Sequence, residues 1–268
     1  FRTTHVQPNF IKLFMDGVPM TRTAAMLDAY KPDEQGRVTV CRSFLRLPEV
    51  VEWIAKAETF GLGVKIHCAG DAAVHDILDA IEIVRKLRGP SQVMHHIAHA
   101  SFIDPNDLPR FKKLNVVADL CPAIWFPCAI TEANMAVMDQ ERAGRYWPNR
   151  DLHQTGALLA AGSDWPVIGL PDPWFGLEGM VTRRNPKGGY PGALWPEQAL
   201  DLKTAIEVYT RNPAIAMGLG HLTGTIEVGK SADLAVLDQN LFEVAPERLS
   251  KTKVLATYFE GRLVHRGG

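Results

Sequence analysis

GVKIHCAGD (residues 63–71) and the AAVHDILDAIEIVRKLRGP that continues it (72–90) decide how this chain folds. The first segment is a short, largely apolar run that ends at a turn, as a buried strand does. The second places Val74, Ile77, Leu78, Ile81 and Val84 at helical spacing, which predicts one apolar helix face. Asp71 suits the cap of that helix, and Gly89 with Pro90 ends it. A strand feeding straight into a helix is the repeating half of a βα unit, and successive units imply a parallel sheet.

Working outward, the same alternation recurs. VMHHIAHAS (93–101) reads as a strand, and Asp104 with Pro105 reads as the N-cap and first-turn proline of the next helix. Pro109 would disturb that helix. NFIKLF (9–14), NVVADL (115–120) and ALLAAGSD (157–164) read as further strands, and LPEVVEWIAKAETFG (47–61) as a helix opened by proline and closed by Gly61. Residues 201–219 read as two helices broken at Asn212 and Pro213. After Gly220 the texture changes to short alternating strands: TGTIEVG (223–229), ADLAVLD (232–238), and the pair TYFEG and RLVHR (257–266). The expectation is an α/β chain in two parts, a βα region over 1–219 and a β-rich portion over 220–268.

Composition narrows the function classes. The chain has 268 residues, 46% hydrophobic and 22% charged, which is the range of globular domains and excludes disorder and coiled coil. A chain of this size can bury about 70% of its unfolded surface. Lys and Arg total 29 against 30 Asp and Glu; so even a balance gives no electrostatic footprint for nucleic acid or an anionic membrane. The least polar long stretch, 114–138, is interrupted by Asp119, Pro122, Pro127 and Glu132 and cannot span a bilayer as one apolar helix. Cys41, Cys68, Cys121 and Cys128 show no disulfide-scaffold density and no CxxC spacing, so reduced thiols and a cytoplasmic setting are expected. FRTTHVQPNF at the start has neither an initiator Met nor a signal-peptide layout; the chain is expected to begin in mid-protein. A small-molecule substrate is the partner that remains.

Catalytic groups of βα barrels project from the C-terminal ends of the strands. Four buried-looking strands here end in, or carry, Lys12, His67, His99 and Asp164. Taken singly, each has an ordinary structural role: a core histidine, a solvent-seeking lysine, a turn-capping aspartate. Together they form a pattern, because the same accident would have to recur at four strand ends on one face of the sheet. Hydrolysing an amide or ester near neutrality needs a strong nucleophile, and a divalent metal supplies one by lowering the pKa of its water to about 7. Neutral imidazoles from His67 and His99 suit zinc. A carboxylate such as Asp164 can take up a proton and pass it to the leaving group. Lys12 could ligate only after desolvation favours its neutral amine, which can then react with carbon dioxide to give a carbamate.

Strand alternation places His95 and His99 on one face and His96 on the other, which makes His95 the reserve ligand and His96 a supporting or packed residue. Cys68 points away from His67 and packs. Phe14, Trp125, Phe126, Trp165 and Trp174 could line an apolar pocket. The stretches 121–148 and 166–196 read as long loops after strands, rich in aromatics and proline, where specificity would reside.

IKLFMDG, VKIHCAGDAAV, IAHASFI, AAGSDWPV, RNPAIAMGL and GTIEVGKSADLAVLD, in that order, resemble the amidohydrolase superfamily through essentially the whole chain. The branch they resemble is that of the YtcJ-like and AepA-like metal-dependent hydrolases, with the N-substituted formamide deformylases. The resemblance implies a TIM-like (β/α) barrel of which strands four to eight are present, with a small C-terminal β-sandwich portion. It also implies a centre of one or two metals in which a Lys12 carbamate bridges, His67 and His99 hold one ion, and Asp164 binds the other and shuttles the proton. The family's HxH motif at the first barrel strand has no counterpart among these 268 residues. Either the chain is the later part of a longer product, or a second copy completes the barrel, since an open sheet invites pairing. Hydrolysis of a C–N, amide-type bond is the function this implies. The alternative is a catalytically inert fragment or an assembly or metal-binding module, because half of the metal shell is absent. A nucleotide-binding α/β protein is disfavoured, since no glycine-rich phosphate loop follows any strand.

Overall fold

A computed structural model describes residues 2–169 and 171–267. Five strands form a sheet in sequence order: β1 (Phe10–Phe14), β2 (Gly63–Cys68), β3 (His95–His99), β4 (Val116–Leu120) and β5 (Leu158–Ala161). β1 to β4 pair in parallel. Three further strands form a separate antiparallel sheet. The fold is thus α/β, with its parallel and antiparallel strands segregated along the chain as expected.

The chain divides into two compact units, Phe1–Leu120 with Ile130–Leu158, and Cys121–Ala129 with Leu159–Gly268. In the first, α1 (Leu47–Thr59) carries proline at its start and Glu49, which accepts the Arg46 backbone N–H. It packs on α2 (Asp71–Arg88). The predicted face of α2, Val74, Ile77, Leu78, Ile81 and Val84, is wholly buried. At roughly 1.5–3 kcal/mol for each large aliphatic side chain, that face supplies much of the energy that holds α2 in place. β2, β3 and β4 are buried almost throughout.

β1 departs from the buried strand expected: Lys12 and Phe14 are exposed, because β1 is the end strand of the sheet. α3 (Leu108–Lys113) begins four residues after Asp104, behind Asp107. Asp104 instead closes a turn, accepting the Asn106 and Asp107 N–H groups. Pro109 therefore lies in the first turn of α3, where its missing N–H breaks no helical bond. The stretch 121–148, expected as a long loop, contains α4 (Ala129–Val137) and α5 (Gln140–Gly144), and α6 (Asn149–Gln154) follows.

In the second unit α7 (Pro173–Thr182) interrupts the other expected loop and packs on α8 (Leu202–Tyr209). α9 (Arg211–Ala216) follows directly. The break between α8 and α9 falls at Thr210, φ −125° and ψ −81°, and not at Asn212 and Pro213, which lie within the tolerant first turn of α9. The antiparallel sheet consists of β6 (Leu234–Leu237), β7 (Val254–Phe259) and β8 (Arg262–Arg266). TGTIEVG is not a strand: Gly224 and Gly229 adopt φ of 96° and 90°, which bend the segment and leave Ile226 and Val228 exposed. No helix among the described residues is long and apolar enough to cross a membrane.

Candidate functional site

Paired residues of parallel strands point to the same face, so register lays the side chains out in rows. One row is Lys12, Lys65, His96 and Val117; the next is Phe14, His67, Ala98 and Asp119. His99 is registered with Cys68, which assigns it to the opposite face. At the end of β3, however, His99 and Ala100 adopt left-handed backbone, φ 75° and 49°. The chain turns there, and the His99 ring arrives 4.1 Å from that of His67, centroid to centroid, at 62°. Both histidines are 8% exposed. A left-handed conformation on a residue with a side chain is costly and concentrates at functional sites.

His67 is held on its other side by the segment that follows β1. Its Nε2 lies 2.9 Å from the Gly17 carbonyl oxygen and 3.6 Å from Asp16 Oδ1. A carbonyl can only accept, so Nε2 carries the proton and donates, and in the neutral ring the lone pair is on Nδ1. Phe14 stacks on the ring at 5.2 Å. Lys12 Nζ lies 5.1 Å from the centroid of the same Phe14 ring; Lys12 and His67 thus share a sheet face and an aromatic neighbour.

Asp16 is the residue that sequence reading missed. It is 1% exposed, and its carboxylate accepts the backbone N–H groups of Ala69, Gly70 and Ala25 at 3.0, 2.8 and 3.0 Å. Burial pushes its pKa up to about 7, against the lowering effect of those three N–H groups and with a contribution from the Asp71 charge. The bonds tie the segment after β1 to the turn after β2. Gly70 permits the close approach: a Cβ there would lie 2.0 Å from the Ala25 carbonyl oxygen. The available signal was the Asp-Gly pair two residues beyond a strand in IKLFMDG.

The same face also carries an ionic cluster. Lys65 Nζ lies 2.6 Å from Asp119 Oδ2, and His96 Nδ1 lies 3.3 Å from the same oxygen. Burial would raise the Asp119 pKa, but the hydrogen bond from His96 and the charge of Lys65 hold it well below the carboxylate range. Lys65, two residues before His67, could have been found from strand alternation; Asp119 figured only as a residue that interrupts an apolar run.

Several expectations change. His95 is not a reserve ligand: its Nδ1 accepts the Val64 N–H at 3.1 Å and its Nε2 donates to Glu58 Oε1 at 3.0 Å, so it serves the packing between sheet and helices. Asp71 does not occupy the cap position, which is Gly70; from the first helical position its Oδ1 accepts the Leu27 and Ala72 N–H groups. Cys68 is fully buried, as expected. Trp125 is a core residue whose Nε1 donates to the Gly176 carbonyl. Phe126 is nearly buried, and Phe14 and Trp165 are exposed.

Asp164 belongs to the second unit. It follows β5 with φ 52°, is partly exposed, and its carbonyl accepts the Val167 N–H at 2.9 Å. Beside the end of β5, a cavity of about 190 Å³ is lined by Ala161, Ser163, Asp172 and Tyr209, among others. Of the four expected ligands, the structure brings His67 and His99 into contact, with Lys12 on the same face. Among the described residues, no group of three or more His, Cys, Asp or Glu side chains is disposed to hold a metal ion.

Residues 1–265 match the Amidohydrolase family. Among curated proteins the chain is 30% identical over 258 residues to Protein LONG AFTER FAR-RED 3 of Arabidopsis thaliana, covering 95% of this chain and 42% of that protein. It is 29% identical over 221 residues to N-substituted formamide deformylase of Arthrobacter pascens, covering 82% and 40%. Among solved structures it superposes on an uncharacterized metal-dependent hydrolase from Pyrococcus horikoshii OT3 with a TM-score of 0.78 and 28% identity, covering 92% of this chain and 47% of that one. The chain spans less than half the length of each of these proteins.

Proposed function

The chain belongs to the amidohydrolase family, and from that premise we propose that it forms the later part of a metal-dependent hydrolase acting on a C–N, amide-type bond of a small molecule. The observation that carries this reading is the meeting of His67 and His99 at the ends of adjacent parallel strands, 4.1 Å between ring centroids. Two imidazoles, donors of the type a divalent cation takes, meet there, and that of His67 has its proton committed to Gly17 on Nε2. Zinc is the first choice for such ligands.

His67 and His99 would hold the ion, with Lys12, as its carbamate, and Asp164 completing the shell. A divalent cation in such a site supplies acidified water and a polarised carbonyl. The chain's own residues do the rest in this reading. The Gly17 carbonyl orients His67, and Phe14 covers its ring. Asp164 accepts a proton and returns it to the departing nitrogen. The parallel strands form part of a barrel whose open end at β1 is covered by upstream residues of a longer polypeptide or by a second copy of this chain. Residues 220–268 act as the β-rich portion of a second domain, and the protein works in the cytoplasm.

Metal analysis of the full-length gene product, with assay across a panel of N-substituted amides and esters, tests the proposal. It requires bound zinc and amide turnover that falls by on the order of 100-fold or more in Asp164→Asn, the scale on which a proton-transfer group acts. A metal-free, inactive full-length protein would leave the inert-module reading in its place.

A further inference from the structure

We propose that Asp16 is a positioning residue that fixes the tautomer and orientation of His67, an inference that rests on the reading of His67 as a metal ligand. The Asp16 carboxylate is almost completely buried and spends its lone pairs on three backbone N–H groups, from Ala25, Ala69 and Gly70. Two of those donors lie in the turn that follows His67, and the third lies in the segment after β1. One carboxylate therefore sets the separation of the two chain segments on either side of the imidazole. That separation places the carbonyl of the next residue, Gly17, 2.9 Å from His67 Nε2, with Asp16 Oδ1 itself at 3.6 Å.

The Gly17 carbonyl oxygen and the Asp16 carboxylate oxygen near Nε2 are both acceptors. The environment selects the ring with hydrogen on Nε2 and penalises the one with a bare lone pair there. Backbone carbonyls and carboxylates that receive the second ring N–H of a ligating histidine fix its tautomer, and their loss typically weakens metal binding 10–100-fold. Asparagine cannot replace Asp16 silently. Whichever way its amide is turned, an NH2 group faces backbone N–H donors that now lack an acceptor, and a buried unpaired donor is expensive.

The same segment offers an internal control. Asp71 accepts the Leu27 N–H at 2.8 Å and so ties down the same stretch of chain, while no hydrogen bond links it to His67. A merely structural role for Asp16 would make Asp16→Asn and Asp71→Ala alike.

The experiment is 15N-histidine NMR on the metal-free full-length protein, with His67 assigned by its loss in His67→Gln, and zinc titration by calorimetry in parallel. The wild type is expected to show His67 with a protonated, exchange-protected Nε2 and an unprotonated Nδ1. Asp16→Asn is expected to show mixed tautomers, rapid Nε2–H exchange and zinc affinity lower by about 10–100-fold, whereas Asp71→Ala retains the wild-type tautomer and affinity. A wild-type His67 protonated on Nδ1 overturns the inference, a measurement that stands even where Asp16→Asn does not fold. So does Asp16→Asn with unchanged tautomer and affinity, or Asp71→Ala reproducing its effects. Failure of the wild type to bind zinc at all refutes the metal reading and leaves the tautomer result to be judged alone.

Discussion

His67 and His99 meet at 4.1 Å between ring centroids although the sheet register pairs His99 with Cys68, on the other face. The left-handed backbone at His99 and Ala100 reconciles the two facts: a residue that strand geometry would point toward the helices is turned toward the candidate centre. In the proposed centre each imidazole is one half of the same ligand pair. His67→Ala and His99→Ala are expected to lower zinc affinity by more than the 10–100-fold typical of a residue that only supports a ligand. Calorimetric titration of each purified full-length variant checks this; near-normal affinity in either would remove that histidine from the centre.

His95, four residues from His99, predicts the opposite behaviour. It sits between sheet and helices, bonded to the Val64 N–H and to Glu58, whose carboxylate also lies 2.5 Å from Arg85 Nη1. Burial works against ionised Glu58, but the hydrogen bonds from His95 and Arg85 and the Arg85 charge lower its pKa to about 2. A depressed carboxylate contributes stability that is present above its unfolded value of 4.5 and is lost as pH falls toward about 2. Glu58→Gln should therefore flatten the acid limb of a stability–pH profile. His95→Ala should destabilise by about 1–3 kcal/mol, the scale of leaving the buried Val64 N–H without its acceptor, with zinc affinity unchanged. Chemical denaturation and calorimetry on the same samples separate the two effects.

His75 gives a pH dependence of the other sign. Burial disfavours its charge, yet the hydrogen bond to Asp107 at 2.9 Å, with the charges of Asp107 and Asp79, raises its pKa above 6.5 despite the nearby Arg110 guanidinium. A raised histidine contributes stability that is fully present below pH 6.5 and lost as pH rises through the higher folded-state value. Thermal midpoints of the wild type and His75→Gln, taken between about pH 5 and 8, should converge as pH rises. A constant gap would show that the His75 charge plays no part.

The helix and strand positions were legible where one period dominated. The five buried aliphatics of α2 and the strands β2 to β4 lie where apolar spacing put them, since burial of those residues is what forms the elements. Pro109 and Pro213 misled because proline breaks helix interiors and is tolerated in first turns, and spacing alone does not locate a first turn. TGTIEVG has strand-like alternation, but its left-handed glycines bend the chain out of any ladder. In the site, His67 and His99 were legible as strand-end residues, but by a rule that should have separated them: alternation fails at His99 because φ changes sign there. Asp16 offered only the Asp-Gly pair after β1 as a signal, because its role rests on backbone donors from Ala25, Ala69 and Gly70, and backbone N–H groups carry no sequence signature.

Gly176 and Tyr209 supply the remaining test, in the second unit. The Tyr209 hydroxyl is buried beside α7, with no hydrogen-bond partner among the described residues, and burial, with the nearby Asp172 charge, raises its pKa above the phenol range. A Cβ on Gly176 would lie 1.8 Å from that oxygen and 2.8 Å from the Ala123 Cβ. Gly176→Ala thus forces α7 and α8 apart, and overpacking of this kind costs about 1–3 kcal/mol. Removing the hydroxyl should return part of that loss, because the next atom, Tyr209 Cζ, is 3.0 Å from the added Cβ, still close but no longer overlapping. A double-mutant cycle of Gly176→Ala and Tyr209→Phe by urea denaturation measures the coupling, expected at roughly 0.5–3 kcal/mol for residues in contact. Additive effects would mean that the glycine is required for something other than the space this hydroxyl occupies.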